Sequence, residues 1–311
     1  MHIVTGGAGF IGSNLVQALV NRGHDDVVVV DDLEDGHKFV NISDLPIADY
    51  LDKDDFIKRL SSDAAFAKGI KAIFHQGACS ATTEWDGRFM MKNNYAYSQD
   101  VLHHCLEHKT PYIYASSAAV YGGSKTFVED PLFENPLNIY GYSKLQFDRY
   151  VRRVVATPES QVVGLRYFNV YGPRQDPDGD YAAVIPKFAA AIRAGEAPCI
   201  FGDGEQTRDF VMVDDVVEAN LLAADAAVGV GAVCNVASGT RTCLNALLEL
   251  IREHTGARVE ARYDPPREGD VRHSVASLDR AREVLGYAPR VELREGLRRT
   301  LDGSAGKGDP A

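Results

Sequence analysis

The amino terminus holds the feature that most restricts the fold of this 311-residue chain, because an apolar run, a glycine-rich turn and a helical pattern follow one another directly. Residues 2–4 (HIV) predict a first strand, and residues 5–12 (TGGAGFIG) turn the chain into an amphipathic helix that we expect to begin near Ser13. Residues 27–30 (VVVV) form a continuous apolar run, typical of a parallel strand covered on both faces. This beginning is typical of an α/β protein with a doubly wound parallel sheet.

Strand and helix patterns continue to alternate after this beginning. Further strands are predicted at residues 72–75, 112–115 and 161–165, with helices at 94–108 and 143–155 between them. The alternation indicates a Rossmann-type α/β fold with a smaller carboxyl-terminal domain for the substrate.

The domain boundary is expected near residue 168. We assign residues 1–168 to a dinucleotide-binding domain and residues 169–311 mainly to a substrate domain. Residues 209–237 carry a strand and helix pattern, and we expect them to return to the first domain.

The glycine-rich turn favours a bound dinucleotide. Glycines at three-residue spacing let the backbone approach a pyrophosphate closely, and the first amides of the following helix point at it with partial positive charge. The position of the turn between a strand and a helix, with an acidic residue after the next strand, is the context that distinguishes this motif from an ordinary turn. The predicted pyrophosphate contacts are Gly6, Gly9, Phe10, Ile11 and Gly12.

Two adjacent carboxylates follow the second strand. Asp31 is placed to accept hydrogen bonds from the adenosine ribose, and Asp31 and Asp32 together favour NAD over NADP because they would repel a 2′-phosphate. Lys38 would favour NADP if its ammonium reaches that phosphate, and otherwise it is a solvated loop lysine. The cofactor is therefore NAD or NADP, with NAD favoured.

Tyr140 and Lys144 supply the predicted acid/base chemistry. They are four residues apart, so on a helix they share one face. A lysine ammonium and an oxidised nicotinamide ring close to the phenol would lower its pKa from about 10 toward neutrality. Ser116 or Ser117, at the end of a predicted strand, could hydrogen-bond the hydroxyl that is oxidised, and Lys144 is also a predicted cofactor contact.

Composition excludes several other classes of protein. The formal net charge of −11 disfavours a nucleic-acid partner. The five cysteines lack a Cys-x-x-Cys pair and are predicted to be reduced packing residues, and no histidine arrangement suggests a metal site. The chain shows no signal segment and no apolar run long enough to cross a membrane. We expect a cytoplasmic protein. Its assembly into a homo-oligomer is an open alternative, because self-association cannot be read from the sequence pattern.

The Gly-rich turn and the Tyr/Lys pair together resemble the extended short-chain dehydrogenases/reductases that modify nucleotide-activated sugars, over almost the whole chain. This resemblance implies a tightly held nicotinamide and transient oxidation of a sugar hydroxyl. It also implies Tyr140 as the base, Lys144 as its electrostatic partner, and Ser116 or Ser117 as the residue that orients the hydroxyl.

The two halves of the chain resemble different families of epimerases. Residues 1–174 resemble ADP-L-glycero-D-manno-heptose 6-epimerases, in strings such as residues 38–41 (KFVN) and 77–87 (GACSATTEWDG). Residues 175–311 resemble UDP-hexose 4-epimerases, in strings such as residues 202–210 (GDGEQTRDF) and 269–274 (GDVRHS). The only tryptophan, Trp85, borders the sugar or simply fills a crevice.

Several polar residues are predicted to bind a nucleotide sugar. Guanidinium groups on separate loops suit a pyrophosphate, because their planar donors pair with phosphate oxygens. A surface salt bridge is the alternative role for each arginine. The predicted substrate contacts are Ser80, Asn169, Lys187, Arg208 and Arg272.

One position separates the two possible activities. Inversion at the sugar 6-position needs acid/base groups on opposite faces of a ketone, and the heptose enzymes are thought to use a lysine where this chain has Asp178. A 4-epimerase needs only one base. We expect a nucleotide-sugar epimerase, with an ADP-heptose 6-epimerase first and a UDP-hexose 4-epimerase (on UDP-glucose, UDP-N-acetylglucosamine or another nucleotide sugar) as the alternative.

Overall fold

The computed structural model describes residues 1–155, 161–176, 183–226, 232–266 and 271–304. A seven-stranded parallel sheet forms its centre, in the order β11-β6-β5-β4-β1-β2-β3. The strands are β1 His2–Thr5, β2 Val27–Asp31, β3 Asp49–Asp52, β4 Ala72–His75, β5 Tyr112–Ser117, β6 Val162–Tyr167, β7 Asn169–Tyr171, β8 Cys199–Phe201, β9 Thr207–Arg208, β10 Phe210–Met212, β11 Ala232–Val236, β12 Thr242–Cys243 and β13 Arg262–Asp264. This sheet confirms the predicted α/β class.

Helices cover both faces of the sheet. They are α1 Phe10–Asn21, α2 Lys53–Ser62, α3 Ala64–Lys68, α4 Gly87–Met91, α5 Tyr97–His108, α6 Ile139–Val154, α7 Val184–Arg193, α8 Val213–Asp225, α9 Leu244–Thr255, α10 Asp279–Leu285 and α11 Leu293–Ser304. A π-helical turn, Lys92–Ala96, joins α4 to α5. Because α1, α8 and α10 contribute to one hydrophobic cluster and α2, α3 and α5 to another, each face of the sheet has its own core.

The continuous apolar strand was predicted correctly, since every residue of β2 is buried. Two helix starts were predicted too late. Helix α1 begins at Phe10 rather than near Ser13, directly after the turn. Helix α6 begins at Ile139 rather than at residue 143, because the Asn138 side chain caps it by accepting a hydrogen bond from the Gly141 amide at 2.8 Å.

The carboxyl-terminal part builds a third hydrophobic cluster. Helices α7, α9 and α11 surround it, and the short parallel pair β8–β13 lies beside them. Strand β11 does not belong to this cluster. It pairs in parallel with β6, so residues 232–236 form an edge of the main sheet. In the described part of the chain, none of the helices combines the length and apolar character that a membrane crossing requires.

Candidate active site

A cavity of about 990 Å³ opens at the carboxyl ends of the sheet strands. The strand order reverses between β1 and β4, and ligands of open α/β sheets bind at such a switch point. The described residues that were predicted as site residues and line this cavity are Gly6, Gly9, Phe10, Ile11, Gly12, Asp31, Asp32, Lys38, Ser80, Ser116, Ser117, Tyr140, Lys144, Asn169, Lys187 and Arg208.

The glycine-rich turn fits a diphosphate. Gly6 has φ +65°, and a Cβ there would lie 2.6 Å from the Gly77 amide nitrogen. A Cβ on Gly12 would lie 2.1 Å from the Gly6 carbonyl oxygen, so α1 packs directly on the turn. Gly9, the residue that precedes α1, provides no side-chain hydrogen bond to the first amides of the helix. Those amides and the helix dipole therefore suit a phosphate group in the cavity.

The end of β2 is an ion cluster rather than a simple pair of carboxylates. Asp31, 7% exposed, accepts hydrogen bonds from the Ala8 amide at 3.0 Å and from Lys38 at 3.1 Å. Lys38 also reaches Asp32 at 3.1 Å, so it is not the solvated lysine of the alternative interpretation. Lys53, which the sequence gave no reason to select, contacts Asp32 at 2.9 Å.

This cluster is electrostatically balanced. Burial raises the pKa of the Asp32 carboxyl, but Lys53 and Lys38 outweigh burial and bring this pKa to about 2. Burial lowers the pKa of the Lys38 ammonium, whereas Asp31 and Asp32 raise it, and the net shift is upward. The repulsion that two carboxylates would exert on a 2′-phosphate is therefore offset by two lysines.

Tyr140, Lys144 and Ser117 all line the cavity. Tyr140 and Lys144 lie one turn apart in α6, as predicted from their spacing, and the Ser117 hydroxyl at the end of β5 is close enough to the Tyr140 phenol to influence its pKa. Lys144 is 5% exposed and donates a hydrogen bond to the Ala115 carbonyl oxygen at 2.9 Å. Gly141 lets α6 lie close to the residues that follow β5, since a Cβ at Gly141 would lie 2.5 Å from the Ala119 carbonyl oxygen.

The pKa shifts of this pair have one dominant cause. Burial lowers the pKa of the Lys144 ammonium to about 8, with the Asp148 carboxylate acting against burial. Burial also raises the pKa of the Tyr140 phenol, and the hydrogen bond with Ser117 only partly offsets it. The predicted lowering of the phenol pKa requires the oxidised nicotinamide together with Lys144. In the chain by itself desolvation is the larger effect, so the pKa of the Tyr140 phenol is raised.

The two serines of β5 point to different partners. Ser117 reaches Tyr140, and its Oγ also accepts a hydrogen bond from the Ala119 amide at 3.1 Å. Ser116 is 2% exposed, and its Oγ donates to the Asp148 carboxylate at 3.0 Å. Successive side chains of a strand alternate between faces, so only one of the two serines can face Tyr140. The geometry assigns Ser117 to that position.

The loop after β4 brings a thiol to the cavity. Cys79 is half-buried and lines the cavity, so it is more than the packing residue that was predicted. Its backbone is held by Asn94, which accepts from the Cys79 amide and donates to its carbonyl oxygen, both at 2.8 Å. Asn94 lies in the π-helical turn, a type of irregularity common at functional sites. It also donates to Ser143 at 3.1 Å, which ties this loop to α6.

The predicted substrate contacts divide into two groups. Ser80 and Lys187 are exposed and line the cavity with Arg208 and Asn169, whose amide donates to the Asp209 carbonyl oxygen at 3.1 Å. Arg272 instead forms a bidentate ion pair with Asp203, with both N–O distances 2.7 Å, and it lines a second, smaller cavity. Asp178 lies outside the described residues.

A comparison with family models identifies the protein family of this chain. The model of the NAD-dependent epimerase/dehydratase family matches residues 2–237. The chain belongs to this family. The predicted resemblance to short-chain dehydrogenase/reductase epimerases is thereby confirmed, and the protein is an NAD-dependent enzyme of the epimerase class.

Solved structures of epimerases superpose on this family member over nearly its full length. It is similar to UDP-glucose 4-epimerase of Thermotoga maritima, with 35% identity, a TM-score of 0.87, and coverage of 98% of this chain and 99% of that one. It is also similar to ADP-L-glycero-D-manno-heptose-6-epimerase of Helicobacter pylori, with 30% identity, a TM-score of 0.86, and coverage of 98% and 96%. UDP-glucuronic acid 4-epimerase of Bacillus cereus, in complex with UDP-glucuronic acid and NAD, is 28% identical with a TM-score of 0.85 and coverage of 97% and 98%.

Some features of the epimerase were not found from its sequence. Lys53 follows β3, and only the pairing of β2 with β3 brings it to Asp32. Asp148 lies one turn beyond Lys144, and that spacing is the one signal by which it could have been found. Trp85 is 72% exposed, so the interpretation that it fills a crevice is wrong.

A small histidine cluster lies away from the cavity of the epimerase. Potential ligand atoms of His2, His24 and Asp26 lie within 4.8 Å of one another. Asp26 is already paired with Lys71 at 2.7 Å and with the chain amino terminus at 3.3 Å. These two cations compete with a metal ion for the carboxylate, so the cluster gives no support for a metal site.

Proposed function

We propose that this family member is an epimerase of nucleoside-diphosphate sugars that transiently oxidises one sugar hydroxyl. The observation that carries the proposal is that Tyr140, Ser117 and Lys144 line the same cavity as the glycine-rich turn. A dinucleotide held at that turn and a phenol with a hydrogen-bonding serine are the parts that this chemistry requires.

The chain's own residues have separate roles in this proposal. Bound NAD supplies the hydride acceptor. Tyr140 in its phenolate form takes the proton of the sugar hydroxyl, and Ser117 holds that hydroxyl through the hydrogen-bond position next to Tyr140. The Lys144 ammonium stabilises the phenolate by its charge, and its hydrogen bond to the Ala115 carbonyl oxygen fixes its position. Once the sugar is a ketone, the protonated Tyr140 returns the proton during reduction.

ADP-heptose is the first substrate to test. The strings that resemble heptose 6-epimerases include the loop after β4, and Cys79, Ser80 and Thr82 of this loop line the cavity. A 6-epimerase moves a proton on both faces of its ketone, so a second acid/base group is needed. In our proposal Asp178 has that role.

UDP-hexose is the second candidate, and one observation favours it. The described carboxylates that line the cavity are Asp31, at the end of β2, and Asp32, Glu34 and Asp35, which follow β2; none belongs to α6. In the described part of the chain, Tyr140 therefore has no carboxylate beside it that could act as a second base. A 4-epimerase requires one base only, because the ketone presents its other face before it is reduced.

The deciding experiment is incubation of the purified protein with ADP-heptose, UDP-glucose and UDP-N-acetylglucosamine, with the epimer ratio measured by NMR. Conversion of ADP-heptose that Asp178→Asn impairs supports the 6-epimerase. Conversion of a UDP-hexose that Asp178→Asn leaves intact supports the 4-epimerase. Recovery of unchanged substrate in all three incubations would refute both candidates.

Tyr140→Phe tests the proposed base directly. We expect turnover to fall by about three orders of magnitude or more, in line with the loss of a general acid/base, while the bound nicotinamide is retained. Tyr142→Phe is a matched control, because Tyr142 lies two residues later in the same helix and is 43% exposed. Equal turnover of the two variants would refute the role of Tyr140.

A further inference from the structure

The proposed catalytic side chains come from two different elements. Ser117 belongs to β5, whereas Tyr140 and Lys144 belong to α6. Their alignment therefore depends on how α6 is fixed along β5. Catalytic groups tolerate little displacement, so a residue that joins these two elements influences the rate without touching the substrate.

Asp148 is the residue at which these elements join. It lies one turn after Lys144 on α6 and is fully buried. Its carboxylate accepts hydrogen bonds from the Tyr114 hydroxyl and from the Ser116 hydroxyl, both at 3.0 Å. Tyr114 and Ser116 stand on one face of β5, on either side of Ala115, whose carbonyl oxygen accepts from Lys144. Asp148 and Lys144 thus hold three successive residues of β5 against the helix.

A buried arginine fixes Asp148 in turn. Arg166 of β6 is 1% exposed and contacts the Asp148 carboxylate through Nε at 3.0 Å and Nη2 at 2.9 Å. Arg166 is the register partner of Ser116, so β5, β6 and α6 converge on one carboxylate. The same guanidinium contacts Glu134 at 2.6 Å, and Glu134 contacts Arg152 at 2.9 Å. This arrangement compensates the charge of Asp148 with cationic side chains of the protein.

A glycine in β6 makes room for the Tyr114 side chain that contacts Asp148. The Tyr114 ring lies over Gly164 of β6, where a Cβ would be 2.5 Å from the phenol oxygen. A side chain at that position would force the Tyr114 ring or β6 to shift. Charge-assisted hydrogen bonds such as these four are about twice as strong as neutral ones and more demanding in geometry.

We propose that Asp148 is a positioning residue of the epimerisation reaction, which aligns Lys144 and Tyr140 of α6 with Ser117 of β5 and supplies negative charge behind Lys144. This proposal rests on the proposed function, since it takes Tyr140 as the base. Asp148 acts through Lys144 and the end of β5 and does not contact the substrate.

The groups that face Lys144 define the expected pH dependence. Asp148 faces it from the same helix, His75 from β4, and Cys79 from the loop after β4. His75 is fixed between Thr5 at 2.6 Å and Ser98 at 2.8 Å, and burial together with Lys144 lowers its pKa to about 3, so it is neutral. Without the Asp148 charge, Lys144 loses its proton at a lower pH, and the phenolate of Tyr140 loses its stabilising cation there.

The test compares Asp148→Asn with Glu134→Gln in the full-length protein with bound NAD. Each substitution neutralises one carboxylate that pairs with Arg166. Of these two carboxylates, only Asp148 contacts β5. The substrate is whichever of ADP-heptose, UDP-glucose or UDP-N-acetylglucosamine is converted. For Asp148→Asn we expect kcat to fall at least tenfold with KM little changed, and the alkaline limb of the kcat profile to move to lower pH. Glu134→Gln should lower Tm while leaving kcat and the pH profile in place.

Two results would overturn the proposal: an Asp148→Asn protein that loses stability but keeps kcat and its alkaline limb, or equal effects of both substitutions on the pH profile. If Asp148→Asn does not fold, Ser116→Ala and Tyr114→Phe each remove one hydrogen bond to Asp148, and unchanged kcat in both would equally overturn it. Tyr140→Phe separates the two hypotheses. Turnover retained in that variant refutes the proposed function, whereas turnover lost there but kept in Asp148→Asn refutes only the positioning role.

Discussion

Replacement of Lys144 by methionine should change how stability depends on pH. The Lys144 amine is 5% exposed, and burial lowers its pKa to about 8 from 10.5 in the unfolded chain. A lysine with a lowered pKa in the folded state destabilises that state at every pH where the amine must be charged. The penalty is complete below pH 8 and disappears as the pH rises toward 10.5.

The size of the effect follows from proton linkage. A pKa difference between 10.5 and about 8 corresponds to about 3 kcal/mol at neutral pH, because each pKa unit is worth about 1.4 kcal/mol. Between about pH 7.5 and about pH 9.5 the folded protein should regain about 2 kcal/mol of this penalty. Methionine has a similar length and no charge, so Lys144→Met should lack this gain. The lost hydrogen bond to the Ala115 carbonyl oxygen is independent of pH and cancels from the slope.

Urea unfolding of the cofactor-free protein at several pH values measures this difference. Other titrating groups contribute equally to both proteins, so the difference between the two stability curves isolates Lys144. Lys92→Met removes an exposed lysine and serves as the control for loss of charge without burial. Parallel curves for the unsubstituted protein and Lys144→Met over this pH range would refute the argument that burial lowers the pKa of Lys144.

Two further substitutions test other parts of the structure. Gly164→Ala should destabilise the protein by about 1–3 kcal/mol through overpacking, because its Cβ would lie 2.5 Å from the Tyr114 hydroxyl oxygen. Gly36→Ala is the control and should be nearly neutral, because a Cβ at Gly36 meets open space. Equal urea midpoints for the two variants would contradict the overpacking argument. Lys53→Met leaves Asp32 with Lys38 alone, so binding of NADPH relative to NADH should weaken by about tenfold, the worth of one charge-assisted contact. Fluorescence titration with the two reduced cofactors measures the ratio, and an unchanged ratio would show that Lys53 is remote from the 2′-position.

The local motifs of the cavity could be predicted because each is written in consecutive or regularly spaced residues. The glycine-rich turn, Asp31 after the second strand, and the spacing of Tyr140 and Lys144 all depend on geometry within one element or between an element and its adjacent turn. Strand and helix periodicity likewise predicted the parallel sheet. Helix starts were less accurate, since the cap of α6 at Asn138 was not recognised.

Contacts between elements could not be predicted in this way. The choice of Ser117 over Ser116 as the partner of Tyr140 depends on which face of β5 meets α6. The role of Lys53 depends on the pairing of β3 with β2.

The sequence by itself determined the α/β class, the glycine-rich turn after the first strand and the spacing of the proposed acid/base pair, because these follow from short-range spacing and chain stereochemistry. Only the tertiary structure decided the electrostatics of that pair. The pKa of Lys144 is set by burial and by Asp148, and Asp148 is held by Arg166 from a strand that the linear sequence does not place beside it. Desolvation and charge pairing depend on which elements pack together, and that is a property of the folded chain.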